Sequence, residues 1–349
     1  MAYTEIDNSG EHFNTITWTG TGASHAVTGV GFAPNMTWLK CTSNAANHWI
    51  FDTIRGATKN IYPNTTAAQA TEAQSLKTFG SDGFTLGTES DINGDGRTNV
   101  AWNWKAETAF SNDASSTSIG SIDSAGSVNT TNGFSIVTYT STGSAATIAH
   151  GLGAVPQMIL FKRLAGDTEN WPIYHHKIGN THYRLLNTTG AKVDSAARFN
   201  DTSPTSTVFS VGTSGDTNGG TSPFVAYCFA EKKGFSKLGN YVGNGNDGDG
   251  PYIFTGFKPA FVWLAEVSST GSPCIFDNKR AGRNPNNYRV YSNNNYAHDD
   301  SEVIFDFYAN GFKIRGDQSD TNADGQTYIF MAFAENPFVT STGIPACAR

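Results

Sequence analysis

Hydrophobic and polar positions alternate in short stretches along almost the whole chain, a pattern typical of β-strands. One stretch, GFAPNMTWLK, places Met36, Trp38 and Lys40 on one face of a predicted strand and Thr37 and Leu39 on the other. The same residue types recur in GFKPAFVWLA near the end of the chain and, with one extra residue, in GLGAVPQMILFK between them. We call the three predicted strands the anchor strands, and their recurrence predicts an internal repeat.

The signals around the anchor strands also recur three times. Each copy has an opening strand, the anchor strand, a following strand, a hairpin and a closing strand such as VAWNWKAE. A copy of about 100 residues suits two antiparallel sheets around a core, whereas a propeller blade needs only about 40 to 50 residues. The sequence predicts an all-β protein of three tandem antiparallel β-sandwich modules, jelly-roll-like in type, with a closed barrel as the alternative.

Breaks in the pattern divide the chain. The predicted segments are an N-terminal arm at 1–10, sandwich repeats at 11–107, 131–233 and 234–338, a Ser- and Gly-rich linker at 108–130, and a C-terminal tail at 339–349. The arm and the tail are candidate attachment segments, because an extended end can add a strand to a neighbouring sheet.

Charge and composition narrow the function. The 349 residues carry 23 basic and 30 acidic side chains without long runs of either sign, which disfavours nucleic acid as a partner. No stretch resembles a membrane span, and the first residues lack the basic and apolar regions of a secretory signal, so we expect synthesis in a cytoplasm. Common catalytic motifs are missing from the sequence, which favours a non-enzymatic role.

The cysteines have no C-x-x-C spacing, which argues against zinc and against a dense disulfide framework. We expect reduced, mostly buried thiols at Cys41, Cys228, Cys274 and Cys347.

Two loops fit the calcium pattern D-x-[DN]-x-[DN]-G, in which oxygen ligands alternate around a hard cation. The position that needs a bidentate Glu holds Trp102 in one copy and Met331 in the other. A plain turn is therefore the alternative. No other cofactor is predicted. The candidate ligands are Asp91, Asn93, Asp95, Asp320, Asn322 and Asp324.

Three further groups of residues are candidates for chemistry. Asp52 and Arg55 follow a strand and recur as Asp277 and Arg280, either as a ligand-binding edge or as a clamp that fixes a turn. A histidine cluster could serve metal or acid–base chemistry, or lie on the surface. Three tryptophans could form a surface for a ligand or partner, although strand alternation mostly predicts core positions. The histidines are His175, His176 and His182, and the tryptophans are Trp49, Trp102 and Trp104.

The first repeat also resembles a known class of proteins. MAYTEIDNSGEHFNTITWTGTG, GFAPNMTWLK, HWIFDTIRGATK, SLKTFGSDGFTLG and VAWNWKA look like the repeat module of virion proteins from marine tailed bacteriophages, including those of cyanobacteria. The likeness is partial in the third repeat and weak in the second. It implies a structural or fibre-like virion component, and it implies neither an enzymatic activity nor particular site residues.

These expectations together predict a non-enzymatic structural protein on the surface of a tailed phage virion, in a tail fibre, baseplate or head-decoration position. Its expected partners are other virion proteins, further copies of itself and host surface glycans, without nucleic acid or membrane. The alternatives are a lectin-like protein that recognises host glycans and a glycan-active enzyme.

Overall fold

The computed structural model describes residues 3–346 and confirms an all-β protein. Among those residues no helix is long and apolar enough to cross a membrane. We define module 1 as residues 11–107, module 2 as 108–233 and module 3 as 234–338. A 3-10 helix at Ser9–Glu11 leads into module 1.

Module 1 contains nine strands and one short helix. In chain order they are β1 (Phe13–Thr19), β2 (His25–Thr28), β3 (Met36–Cys41), β4 (His48–Asp52), β5 (Lys59–Asn60), β6 (Ala70–Thr71), β7 (Leu76–Gly80), β8 (Gly83–Leu86), α1 (Ser90–Asn93) and β9 (Thr98–Trp104).

Module 2 contains ten strands and two short helices. They are β10 (Thr108–Asn112), α2 (Ala114–Thr117), β11 (Ser124–Asn129), β12 (Phe134–Thr140), β13 (Ala146–Ala149), β14 (Met158–Arg163), β15 (Pro172–His175), β16 (His182–Leu185), β17 (Val193–Asp194), α3 (Ala196–Phe199), β18 (Val208–Val211) and β19 (Pro223–Phe229).

Module 3 contains eight strands and one short helix. They are β20 (Ser236–Val242), β21 (Tyr252–Phe254), β22 (Phe257–Glu266), β23 (Cys274–Asp277), β24 (Val290–Tyr291), β25 (Phe305–Tyr308), β26 (Gly311–Ile314), α4 (Ser319–Asn322) and β27 (Thr327–Pro337).

Each module has a large and a small antiparallel sheet. The order opening, closing, anchor and following strand occurs in all three large sheets, as β1-β9-β3-β4, β12-β19-β14-β15 and β20-β27-β22-β23. The small sheets are β2-β8-β7, β13-β18 and β21-β26-β25. A Gly-x-x-Pro sequence leads into each anchor strand, and in module 3 its proline already lies within β22. The glycine has a positive φ in all three copies, +86° at Gly31, +65° at Gly153 and +84° at Gly256. That conformation suits glycine because it has no Cβ.

The predicted linker at 108–130 is wrong. Its residues form β10 and β11, which extend the large sheet of module 2 as β10-β11-β12. Small residues let these strands lie close to their neighbour: a Cβ at Gly126 would lie 1.8 Å from the Ile136 carbonyl oxygen. The Ser- and Gly-rich composition therefore belongs to strands and not to a spacer.

The anchor and closing strands at the centre of the large sheets are buried on both faces. In β3, Leu39 packs in the interior of module 1, whereas Met36 and Trp38 on the opposite face join a cluster shared by all three modules. In β14, Phe161 packs in the interior of module 2, whereas Leu160 joins the shared cluster. We call the shared cluster the central core. The expectation of separate sandwiches in a row is therefore wrong, since the modules pack around one another.

Three closing-strand residues meet at the centre of this core. Trp104, Phe229 and Phe333 occupy the same register position, opposite Met36, Met158 and Phe261 of the anchor strands. Their ring centroids lie 6.3 Å (Trp104–Phe229), 5.7 Å (Trp104–Phe333) and 6.0 Å (Phe229–Phe333) apart. The three ring centroids form a nearly equilateral triangle, so an approximate threefold axis relates the modules and passes through its centre.

The described part of the N-terminal arm lies against this body. Ile6 is buried in the central core. The Tyr3 hydroxyl donates to the Gly256 carbonyl at 2.6 Å, and the Ser341 hydroxyl donates to Asp7 at 2.6 Å. These contacts hold the described residues of the arm against module 3 and join the arm to the tail.

Candidate functional site

The Asp52–Arg55 pair links two modules. One carboxylate oxygen of Asp52 accepts from the backbone amides of Ile54 and Arg55, at 3.1 and 2.8 Å. The other accepts from Arg55 Nε at 2.5 Å and from the hydroxyl of Tyr227, on the closing strand of module 2, at 2.6 Å. Both side chains of the ion pair are buried. The pair therefore acts as a clamp that fixes its own turn and a neighbouring module.

The equivalent pair in module 3 makes the corresponding contact with module 1. Asp277 accepts from Arg280 Nε at 2.5 Å and from Trp102 Nε1, on the closing strand of module 1, at 3.2 Å. In module 2, His175 occupies this place. Its Nδ1 accepts from the Lys177 amide at 3.2 Å and its Nε2 donates to the Phe330 carbonyl of module 3 at 3.3 Å. The three contacts run in a closed cycle, from module 1 to 2, 2 to 3 and 3 to 1.

Burial lowers the pKa of His175 to about 3, with a further contribution from the adjacent His176. Its neutral ring therefore keeps one donor and one acceptor for the two backbone partners.

Buried cations form a second set of contacts between modules. Lys40 Nζ donates to carbonyls of its own module and to Asn295 of module 3, and Lys162 Nζ donates at 2.9 Å to Thr66 of module 1. In module 3, Ala265 takes the lysine position, and Arg184 of module 2 donates to the carbonyls around it, including Glu266 at 2.8 Å. Burial lowers the pKa of each lysine to about 8.

The predicted calcium loops hold their asparagines in backbone contacts. Asn93 donates through Nδ2 to Ala23 and Gly87 carbonyls, at 2.6 and 2.7 Å, and its Oδ1 accepts from the Thr21 amide. Asn322 binds its surroundings in the same way, and so does Asn218 in module 2. We call these residues the turn asparagines. Their side chains bind backbone groups of the segment that follows the opening strand and hold it against the turn.

The acidic residues of each loop lie on two different elements. Asp91 and Asp320 lie in α1 and α4, and Asp95 and Asp324 lie in the turns that follow. Asp320 accepts from the Ser272 amide at 2.7 Å. Within residues 3–346 no group of three His, Cys, Asp or Glu side chains is placed to hold a metal ion.

The three tryptophans do not form a surface, which corrects that prediction. Trp102 and Trp104 belong to the central core, and Trp49 packs in module 1 against Tyr62 with ring centroids 4.8 Å apart. Trp102 and Trp104 are buried because their face of the closing strand of module 1 meets the threefold axis, whereas Trp49, on β4, is buried in the interior of module 1.

The histidines and cysteines also occupy separate places. His175 and His176 are neighbours that bind different carbonyls, and His182 contacts Thr181. Cys41, Cys228 and Cys274 are free and buried, whereas Cys347 lies outside the described residues.

A groove opens at each junction between modules. Groove 1–2, beside Arg55, has a volume of about 630 Å³, and groove 3–1, beside Arg280, about 570 Å³. Groove 2–3 is about 440 Å³ and combines aromatic and charged side chains. Its lining includes Gln157, His176, Glu231, Lys237, Tyr252 and Phe254.

The aromatic side chains of groove 2–3 belong to an exposed patch on the small sheet of module 3. Tyr252, Phe254 and Tyr308 are 45%, 60% and 39% exposed. We call them the aromatic face. Sequence reasoning missed them, although the signal exists: at the register positions of Tyr252 and Phe254, module 1 has Ala26 and Thr28. An aromatic side chain where another copy has a small one is not required by the shared fold.

Comparison with known proteins places the whole three-module body in one family. The sequence matches the domain of unknown function DUF7483 over residues 8–337. The chain belongs to the DUF7483 family. No curated protein and no solved structure matches it. Since the DUF7483 match runs from the N-terminal segment to the end of β27, the family unit is the three-module body and not one repeat.

Proposed function

We propose that this chain is a non-enzymatic structural protein of a tailed phage virion, displayed on the particle surface for assembly contacts and host adhesion. The central core is the observation that carries the proposal. Because three modules share it, opening one module would expose apolar faces of the other two, which favours a stiff body over a hinged one. A stiff body suits a particle surface that meets the host outside the cell. The sequence resemblance of module 1 supports the same role.

The carboxylates of groove 1–2 also suit a role without catalysis. Asp113 Oδ1 accepts from the Ser115 and Ser116 amides, and Asp123 Oδ1 accepts from the Ala114 amide, so both serve the start of α2. Hydrogen bonds from Ser115 and Ser116 lower the pKa of Asp113. A general acid at neutral pH needs a raised pKa.

Labelling of intact particles tests the proposal. Purified virions of the phage that encodes this chain are incubated with a gold-labelled antibody against the purified protein and imaged. We expect gold at a fixed position on the particle. Free protein added in excess should bind the antibody and abolish this labelling. Unlabelled particles, together with absence of the chain from their peptide mass spectra, would refute a virion role.

A further inference from the structure

The three rings of the aromatic face lie together on the outer side of the small sheet of module 3 and are exposed to solvent. Register places Phe254, Gly311 and Tyr308 in one row across the small sheet of module 3, and Tyr252 lies two rows along, on the same face of the sheet as Phe254. A Cβ at Gly311 would lie 2.8 Å from the Tyr252 hydroxyl, so the glycine leaves room for that ring. Tyr252 also packs edge-on against Tyr308, with centroids 5.7 Å apart, and its hydroxyl donates to Asn310.

The other modules show that the fold does not need these rings. The positions of Tyr252 and Phe254 correspond to Ala26 and Thr28 in module 1 and to Thr147 and Ala149 in module 2. Between them, Ile253 is buried in the central core like an ordinary inward strand residue. Exposed, contiguous aromatic side chains that the shared fold does not require mark an interaction site.

Polar groups with paired charges line the groove beside the face. Glu231 and Lys237 form an ion pair of 2.9 Å, and the Gln157 side chain accepts from the Glu231 amide at 2.6 Å. His176 Nε2 donates to the Leu238 carbonyl at 2.8 Å, and burial lowers its pKa. The groove therefore offers hydrogen-bond donors and acceptors whose charges offset each other.

We propose that groove 2–3 and the aromatic face bind a neutral sugar chain, which names the ligand class of the adhesion role and rests on that proposed function. A sugar ring has an apolar C–H face, which packs on an aromatic ring, and a hydroxyl edge, which needs donors and acceptors. Tyr252 and Phe254 supply the aromatic rings. Glu231, Lys237 and Gln157 supply the hydrogen-bond donors and acceptors. The groove volume of about 440 Å³ lies in the range of small-ligand sites.

Binding of the full chain to a glycan array tests the proposal. The array carries neutral glucose-, galactose- and mannose-based oligosaccharides beside sulfated and uronic-acid ones, and hits are titrated by interferometry. We expect neutral hits, and we expect Tyr252→Ala with Phe254→Thr, the residues of module 1, to weaken them by at least about tenfold. Tyr296→Ala removes an equally exposed ring elsewhere and should leave affinity unchanged.

Three results would overturn the sugar site: hits confined to charged glycans, no hits on the array, or unchanged affinity in the double variant. Phage that carry the double variant separate this proposal from the virion role. Normal gold labelling with reduced adsorption supports both. Normal labelling with normal adsorption overturns only the sugar site, and loss of the chain from wild-type particles overturns only the virion role.

Discussion

At the scale of single residues, the junctions between modules depend on buried polar side chains that each serve two partners. Asp52 fixes its own turn and binds Tyr227 of the next module, and His175 does the same with different chemistry. A carboxylate needs a buried cation beside it, whereas a neutral imidazole does not. This explains why module 2 has no arginine equivalent to Arg55, since Ile178 stands at that place.

The buried histidines predict that the fold weakens in mild acid. Burial lowers the pKa of His48 and His175 in the folded protein, while both approach 6.5 in the unfolded chain. Below pH 6.5 the unfolded chain therefore binds more protons, and stability falls as pH falls. With a folded-state pKa of about 3, His175 should cost about 2 kcal/mol at pH 5 relative to pH 7.5, and His48 should add a loss of the same sign. Urea unfolding at the two pH values measures the loss.

His175→Gln provides the matched comparison for this prediction. Glutamine keeps a donor and an acceptor but does not titrate. The difference in unfolding free energy between pH 7.5 and pH 5 should shrink by about 2 kcal/mol in this variant. An undiminished difference would mean that His175 is not the group that takes up the proton on unfolding.

At the scale of elements, the conformation of the turn before each closing strand depends on the hydrogen bonds of its asparagine side chain. The D-x-N-x-D pattern gives a metal-like spacing, but Asn93, Asn218 and Asn322 bind backbone groups on neighbouring segments. The same residue in all three modules, including the one without the full acidic pattern, indicates a role in the fold. A comparison of the three copies shows this more directly than a search for ligand motifs.

Asn93→Asp separates the two interpretations of this turn. The change keeps the shape but replaces two donated hydrogen bonds by an anion facing the carbonyls of Ala23 and Gly87, so we expect a loss of about 3 kcal/mol or more in unfolding free energy. Asp91→Asn should cost less than about 1 kcal/mol. A calcium site would give a different result: millimolar calcium would raise the melting temperature, and Asp91→Asn would abolish the rise.

At the scale of the whole molecule, local patterns predicted the strands but not their arrangement. Alternation located the anchor strand and the two faces of Trp38 and Leu39. It did not show that the face of Trp38 meets two other modules, because that contact joins residues far apart in sequence. A run such as AFVWLA, apolar at every position, signals burial on both faces. The aromatic face was missed because single aromatic residues in a strand usually predict core.

The shared core predicts that the three modules unfold together and that none folds alone. In module 1, Met36, Trp38, Trp102 and Trp104 all point into the central core. A fragment of residues 11–107 would expose these side chains to water, at a cost of about 1.5 to 3 kcal/mol for each large apolar group, against a typical domain stability of about 5 to 15 kcal/mol. We therefore expect one calorimetric transition for the full chain and a fragment without a dispersed amide spectrum. Separate transitions, or a fragment with native-like dispersion, would show that each sandwich is stable by itself and that the central core only docks them.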